Sequence, residues 1–415
     1  MTGPLPLAGI RVLEYAQYVA GPFAGMLLAD LGADVIKVEP PAGDAWRHYE
    51  PFAEGESRYF YALNRNKRSV VLDLKDDQGR HASRALIRSA DAVLHNLPAD
   101  RAHRFGLDRE SVRELNPAAV WCCVSALGSD GPEAAVTAFD LIAQAVSGLL
   151  LAGAQGSAPV PQRAGGIAMA DFTAGLLAAA AVLAGLVGRE RSVSPGRECD
   201  AARGFEVSLL GAALAVQAQR FVSVETIDRA GREQRKQTPV PASAGDLERH
   251  AHAQRTRDEL DPYYRAYAAS DGFLVLACLH ERQRRAAAAV LGLEDPWAAN
   301  PHAPPAGAVE REHRLALVAR FERRVAAEPA AAWVSRLRAA CVPASEVRLL
   351  DQLFEDDQVS ANGLVHTLRD KRVGPVKLLG SLFKIDGFAT PPRQSIPTLG
   401  EHTEEVLAEC RQPQA

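Results

Sequence analysis

Residues 10–39 read IRVLEYAQYVAGPFAGMLLADLGADVIKVE. The run opens on a short apolar segment with β-branched residues (10–14, IRVLE) and closes on a second one (34–39, DVIKVE). Between them, Ala20 to Leu31 has the composition of a helix, and its Gly21–Pro22 start suits the first turn, where proline costs no hydrogen bond. Strand, helix and strand in this order make a βαβ unit. Its crossover forces parallel pairing, so the chain is predicted to open on a parallel sheet.

The same alternation continues outward. Val70 to Leu74 reads as a strand, Gln78 to Ser89 as a helix, and Ala92 to Leu94 and Ala119 to Val124 as two further strands. Helices on both faces of a doubly wound α/β sheet follow from that rhythm. Ala- and Gly-rich helices are predicted over Asp140–Leu150 and Asp171–Leu186, and a third over 205–219 after a short strand. The Phe172–Val187 stretch is uncharged but too short and too weakly apolar for a bilayer span, so it reads as a buried helix.

Residues 228–260 change character, with many charges, Pro239 and Pro241 and few aliphatic side chains, and read as a solvated linker. A smaller α+β region follows, with Tyr263, Tyr264 and Tyr267, a Ser270–Asp271–Gly272 turn, a strand at Phe273–Cys278 and helices at 281–291, 309–326 and 330–340. The resulting division is 1–225 as a large domain, 226–262 as a linker and 263–342 as a small domain, with 343–415 to follow.

Composition narrows the function. At 415 residues, with 47% apolar and 24% charged residues, the chain is of the soluble globular kind and long enough for two domains. A net charge of −4 argues against nucleic acid or an anionic membrane as partner. Met1–Ile10 lacks the basic and apolar pattern of a signal peptide. The six cysteines, Cys122, Cys123, Cys199, Cys278, Cys341 and Cys410, form no C-x-x-C pair and have no histidine at zinc spacing. They read as thiols in a reducing, cytoplasmic setting, with no metal site.

A dinucleotide site is the obvious reading of the opening βαβ unit, with Glu39 near the place of a ribose-binding acid. The turn Ala20–Gly21–Pro22–Phe23–Ala24–Gly25 is not G-x-G-x-x-G, however. Pro22 also removes an N–H where a pyrophosphate needs one.

Several segments, in order, carry a resemblance: PLAGIRVLE (6–14), AGPFA (20–24), LGADVIKVEP (31–40), NRNKRSVVLDLK (64–75), ADAVLHNL (90–97), ALGSDGP (126–132), VPASEV (342–347) and LGEHTEEVL (399–407). The chain resembles the class III CoA-transferases, the group that holds formyl-CoA:oxalate and carnitine CoA-transferases and the α-methylacyl-CoA racemases. The resemblance implies a two-domain subunit whose chain end, 343–415, returns to the large domain. It also implies a homodimer of interlocked rings. Coenzyme A enters as substrate and product, and no resident cofactor is implied.

The same resemblance assigns residues. The nucleophile is Asp171, in GGIAMADFTAG (165–175). Local sequence alone makes Asp171 a helix N-cap, and a helix N-terminus would keep its carboxylate ionised. The implied reaction is covalent: Asp171 attacks an acyl-CoA, gives a mixed anhydride, and is converted by the thiolate to an aspartyl-CoA thioester that an acceptor acid then reverses. CoA contacts fall by position on Val19, Ala20, Leu72, Lys75, Asn96, Leu97 and Arg104, with Lys75 and Arg104 as phosphate donors. Gln17, Tyr18, Phe139 and Asp140 line the substrate pocket. Two departures stand out: Leu97–Pro98–Ala99–Asp100 replaces a common Phe/Arg-Pro-Gly stretch, and Pro40 stands where some members carry arginine.

The racemase branch is the alternative. It needs an acid and a base on opposite sides of Cα. Phe139 stands where that branch has its histidine, and His280 where it has its glutamate. A phenylalanine moves no proton, so transfer is favoured. A non-catalytic acyl-CoA binder would have no use for Asp171.

Overall fold

The computed structural model describes residues 4–53, 56–152, 163–192, 204–226, 229, 233, 261–296, 298 and 308–411. The opening unit forms as its spacing predicts, with β1 (Arg11–Tyr15), α1 (Ala20–Asp30) and β2 (Asp34–Glu39). Val12, Leu13, Val35 and Ile36 are fully buried. Each such side chain contributes about 1.5–3 kcal/mol. The chain then builds β3 (Lys67–Val71), α2 (Asp77–Arg88), β4 (Ala92–His95), α3 (Ala99–Phe105), α4 (Arg109–Leu115) and β5 (Val120–Ser125). Next come α5 (Asp140–Val146), α6 (Met169–Ser192), β6 (Gly204–Ser208) and α7 (Leu209–Ala215).

These strands form one six-stranded sheet in the order β3-β2-β1-β4-β5-β6. Every pairing in it is parallel. Side chains of α1, α6 and α7 build the core on one face, and those of α2, α3 and α4 the core on the other. The sheet is therefore doubly wound. Strand order reverses between β1 and β4, which opens a crevice at their carboxyl ends, the usual ligand position in such sheets.

By length and composition Met169–Arg191 could cross a membrane, but one face is core. Ala170, Ala174, Ala178 and Val182 are fully buried, and Gly175 lets α1 come close. A Cβ there would stand 2.7 Å from the Ala20 carbonyl oxygen.

Three element boundaries differ from the sequence reading. β3 begins at Lys67 rather than Val70 because Lys67, Arg68 and Ser69 are buried polar residues with partners inside the protein. The helix from Asp140 stops at Val146, since Gly148 takes a left-handed φ of 76°. The helix predicted for 205–219 is the strand β6 followed by α7, which Ser208 caps by accepting from the Gly211 N–H.

The chain divides into two units, 1–234 with 356–415, and 235–355. In the second, β7 (Tyr264–Ala268), β8 (Phe273–Ala277) and β9 (Ala344–Glu346) form an antiparallel sheet. It shares a core, centred on Phe321 and Trp333, with α8 (Glu281–Val290), α9 (Ala308–Val325) and α10 (Ala330–Ala339). Because β9 pairs with β8, residues 343–355 stay in this unit instead of leaving at 343. The charged 226–262 segment lies almost wholly outside the described residues.

The returning chain adds to the first unit a hairpin, β10 (Val365–Asp370) and β11 (Gly374–Leu379), and a last helix, α11 (Thr403–Glu409). Val406 of α11 is fully buried in the core beside α2. Arg68 of β3 pairs with Glu405 at 3.0 Å and with Glu409 at 2.6 Å.

Candidate active site

The turn after β1 is the first part of the site. Tyr18 has φ 68°, a conformation uncommon for a residue with a side chain. Such strain persists only where the surroundings impose it. Here Asn96, just past β4, accepts from the Gln17 N–H at 3.1 Å and donates to the Gln17 carbonyl at 2.8 Å. Gln17 and Asn96 thus span the crevice where the strand order reverses. Asp44 Oδ1 accepts from the Tyr18 N–H at 3.2 Å, and Lys37 Nζ donates to the Ala16 carbonyl at 2.8 Å.

Beneath that turn lies a buried charge cluster that sequence reasoning missed. Lys37 Nζ is 2.9 Å from Glu14 Oε1 and 2.8 Å from Asp44 Oδ2, and Lys67 Nζ is 2.8 Å from Glu14 Oε2; all four side chains are 0% exposed or nearly so. Burial pulls the Lys37 ammonium down, but Asp44, Glu14 and Glu39 outweigh it and leave its pKa above the ordinary value. Lys67 goes the other way: burial dominates and pushes it down to about 8. Gly25 makes the Glu14–Lys67 contact possible, since a Cβ there would stand 1.9 Å from Glu14 Oε2. This glycine, met first as part of a failed phosphate loop, is a packing residue. Glu39 is likewise committed, to Arg47 at 2.8 Å and to Ser69 at 2.6 Å, and is 1% exposed.

From the turn, a line of contacts leads to Asp171. The Tyr18 and Phe139 rings meet edge to face at 5.4 Å, and Tyr18 meets Trp46 at the same distance. Phe139 precedes α5, whose first residue, Asp140, is buried. Asp140 Oδ1 accepts from the Ala170 N–H at 2.8 Å and the Asp171 N–H at 3.3 Å. Its Oδ2 accepts from Gln144 Nε2 at 2.7 Å, and Gln144 in turn accepts from the Ala164 N–H at 2.9 Å. Arg163 Nε lies 3.6 Å from Asp140 Oδ2.

The expected role of the helix end is therefore corrected. Asp171 is not the N-cap of α6 but its third residue, and Asp140 takes the first amides instead. Among the described residues, the Asp171 carboxylate makes no side-chain hydrogen bond. Burial, reinforced by the Asp140 charge and only partly offset by Arg163, pushes its pKa up to about 7. The carboxyl is held poised, not stably ionised. A carboxylate that lacks hydrogen bonds and has a raised pKa is the better nucleophile.

The positions assigned to CoA spread along the same carboxyl edge. Val19 and Ala20 start α1, Leu72 follows β3, and Asn96 and Leu97 follow β4. Val19, Ala20 and Leu72 are buried, Asn96 and Leu97 half-buried. Lys75 and Arg104 are exposed, and Arg104 lies 3.7 Å from Asp100. No contact joins either cation to the Asp171 cluster among the described residues. His280 precedes α8 in the second unit, where its N–H donates to Gln283 at 3.1 Å.

A family model described as CoA-transferase family III matches residues 7–403. The chain belongs to that family, and its class is that of CoA-transferring enzymes. It is 35% identical to the succinate–glutarate CoA-transferase of Agrobacterium fabrum, over 97% of this chain and 95% of that one. It is 29% identical to the formyl-CoA:oxalate CoA-transferase of Streptomyces coelicolor, over 96% and 94% of the two chains. Among solved structures, a CAIB/BAIF family protein from Brucella suis superposes with a TM-score of 0.74 at 27% identity, covering 98% of this chain and 100% of that one.

Proposed function

We propose that this protein moves coenzyme A from an acyl-CoA to a carboxylic acid through covalent intermediates on Asp171. The observation that carries the reading is the state of Asp171: half-buried, without a hydrogen-bond partner among the described residues, and with its pKa pushed up to about 7. A carboxylate oxygen of Asp171 attacks the thioester carbonyl; the C–S bond breaks and thiolate leaves. Thiolate then attacks the aspartyl carbonyl of the anhydride, giving aspartyl-CoA and the free donor acid. The acceptor acid runs these two steps in reverse. The similarity to the Agrobacterium enzyme supports short dicarboxylic acids as the substrate class.

Phe139 disfavours the racemase alternative, since its ring is packed on Tyr18 and has no proton to exchange. The test is direct. Incubated with succinyl-CoA and no acceptor, the protein gains the mass of CoA less water on a peptide containing Asp171. Failure to gain that mass, with transfer intact, rejects the covalent route.

The pH dependence follows from the charges facing Asp171, which are Asp140 and Arg163. Protonated Asp171 is inert and ionised Asp171 attacks, so adduct formation rises with pH through about 7. Asp140→Asn keeps an acceptor oxygen for the α6 amides but removes the charge, and moves that midpoint to lower pH. A midpoint unchanged in the variant rejects the electrostatic account.

A second copy of the chain is the proposed partner. Leu141, Ile142 and Val146 on α5 and Leu176 and Leu177 on α6 are exposed apolar side chains, 40–50% accessible. Surfaces of this kind mark association sites. Sedimentation at micromolar concentration is expected to give a dimer, and a monomer would remove this part of the reading.

A further inference from the structure

We propose that Arg163 is the residue that receives the reacting carboxylate of the acceptor acid; this rests on the transfer reaction proposed above. Arg163 lies beside the buried Asp140 with its own side chain 45% exposed. Among the described residues its side chain pairs with Asp140, at 3.6 Å, too long for a hydrogen bond. Asp140 does not depend on it, because Ala170, Asp171 and Gln144 already supply three N–H donors to that carboxylate. A guanidinium carries five donors in a planar fork suited to a carboxylate. Those of Arg163 make no hydrogen bond to another described residue.

Charge conservation in the reaction gives this cation its task. In the free enzyme the cluster holds the carboxylates Asp140 and Asp171 against one cation. Once Asp171 is a thioester its charge is gone, and Asp140 and Arg163 balance. The acceptor carboxylate then restores a negative charge beside Asp140, whose field opposes it. Arg163, 3.6 Å from Asp140, is the cation that offsets part of the rise in Asp171's pKa, and the acceptor's charge takes the place of Asp171's. The acceptor oxygen bonds to the aspartyl carbonyl carbon and the C–S bond breaks with thiolate leaving. Thiolate then attacks the acceptor's carbonyl in the anhydride, and the C–O bond to Asp171 breaks, freeing its carboxylate. From entry of the acceptor onward one reacting negative charge passes from its carboxylate to the thiolate and then to Asp171, and one guanidinium can accompany it.

The experiment compares wild type, Arg163→Gln and Arg163→Lys at about pH 8.5, above the Asp171 midpoint, so that its ionisation does not confuse the result. With saturating succinyl-CoA, Arg163→Gln is expected to raise KM for the acceptor about 10- to 100-fold. KM for succinyl-CoA changes far less. Inhibition by the product acid weakens in parallel with the acceptor, because it leaves as the acceptor enters. Arg163→Lys recovers part of the loss as a point charge. The CoA adduct on Asp171 still accumulates in Arg163→Gln, more slowly, which establishes that the variant is folded. Equal rises in both KM values, or a loss confined to dicarboxylic acceptors while monocarboxylic ones are unaffected, would overturn the assignment. Absence of the adduct in the wild type would instead reject the underlying reaction.

Discussion

Asp171→Ala is expected to abolish CoA transfer, with kcat falling by at least about 10⁴, the scale that follows removal of a covalent nucleophile. The intact-mass shift by CoA disappears with it. Folding should be unharmed, for three reasons. The Asp171 carboxylate makes no side-chain hydrogen bond among the described residues, its N–H contact to Asp140 belongs to the backbone, and alanine is the best helix former at this position. The carboxylate is also ionised at a cost inside the fold. Its pKa is raised from the unfolded value to about 7. The stability this gives is fully present below the unfolded pKa and falls as pH rises between the two values, because the unfolded chain releases its proton first. That advantage is lost as pH rises through about 7. Thermal unfolding at pH 8 should therefore show Asp171→Ala at least as stable as the wild type. Residual transfer above about one part in 10³ in a folded variant would mean that another group carries the acyl chemistry.

Glu14→Ala is expected to damage stability rather than chemistry. Glu14 is the carboxylate shared by two buried ammonium groups, Lys37 and Lys67. Among the described residues, removing it leaves Lys67 with no carboxylate at hydrogen-bond distance and Lys37 with Asp44 as its one carboxylate. Breaking a buried pair in this way costs about 3–5 kcal/mol. For a unit of this size that is a fall in Tm of roughly 5–8 °C. The double variant Glu14→Gln with Lys67→Met should recover much of the loss, because no uncompensated charge then remains on that side of the cluster. A Glu14→Ala protein within about 1 kcal/mol of wild type would show that the cluster contributes little. The turn at Gln17–Tyr18 should loosen as well, since Lys37 holds the Ala16 carbonyl and Asp44 the Tyr18 N–H.

Both expectations concern residues that one-dimensional patterns treat very differently. Asp171 is visible by its place before an Ala/Gly-rich stretch and in an ordered set of motifs. Glu14 and Lys37 are also visible, as the polar members of two predicted strands, but nothing in a strand pattern says that a charged residue faces inward. Period-2 alternation places such residues on the solvent side by default. In a sheet covered on both faces there is no solvent side, and each charge must find its opposite within the protein. The start of β3 at Lys67 has the same cause: in sequence Lys67 and Arg68 look like the end of a loop, and only their partners inside the protein make them strand residues.

The local sequence thus determined the βαβ opening, the parallel sheet and most helices, because periodicity and glycine and proline positions act over short distances along the chain; the candidate nucleophile came only from the resemblance that the ordered motifs carry. The tertiary structure decided what surrounds that nucleophile. Asp140 lies 31 positions away in sequence, yet takes the α6 amides that Asp171 was expected to use. Burial first, and the Asp140 charge second, turn an ionised cap into a carboxyl poised near neutrality, because desolvation and a neighbouring charge depend on what is close in space, and chain order does not record that.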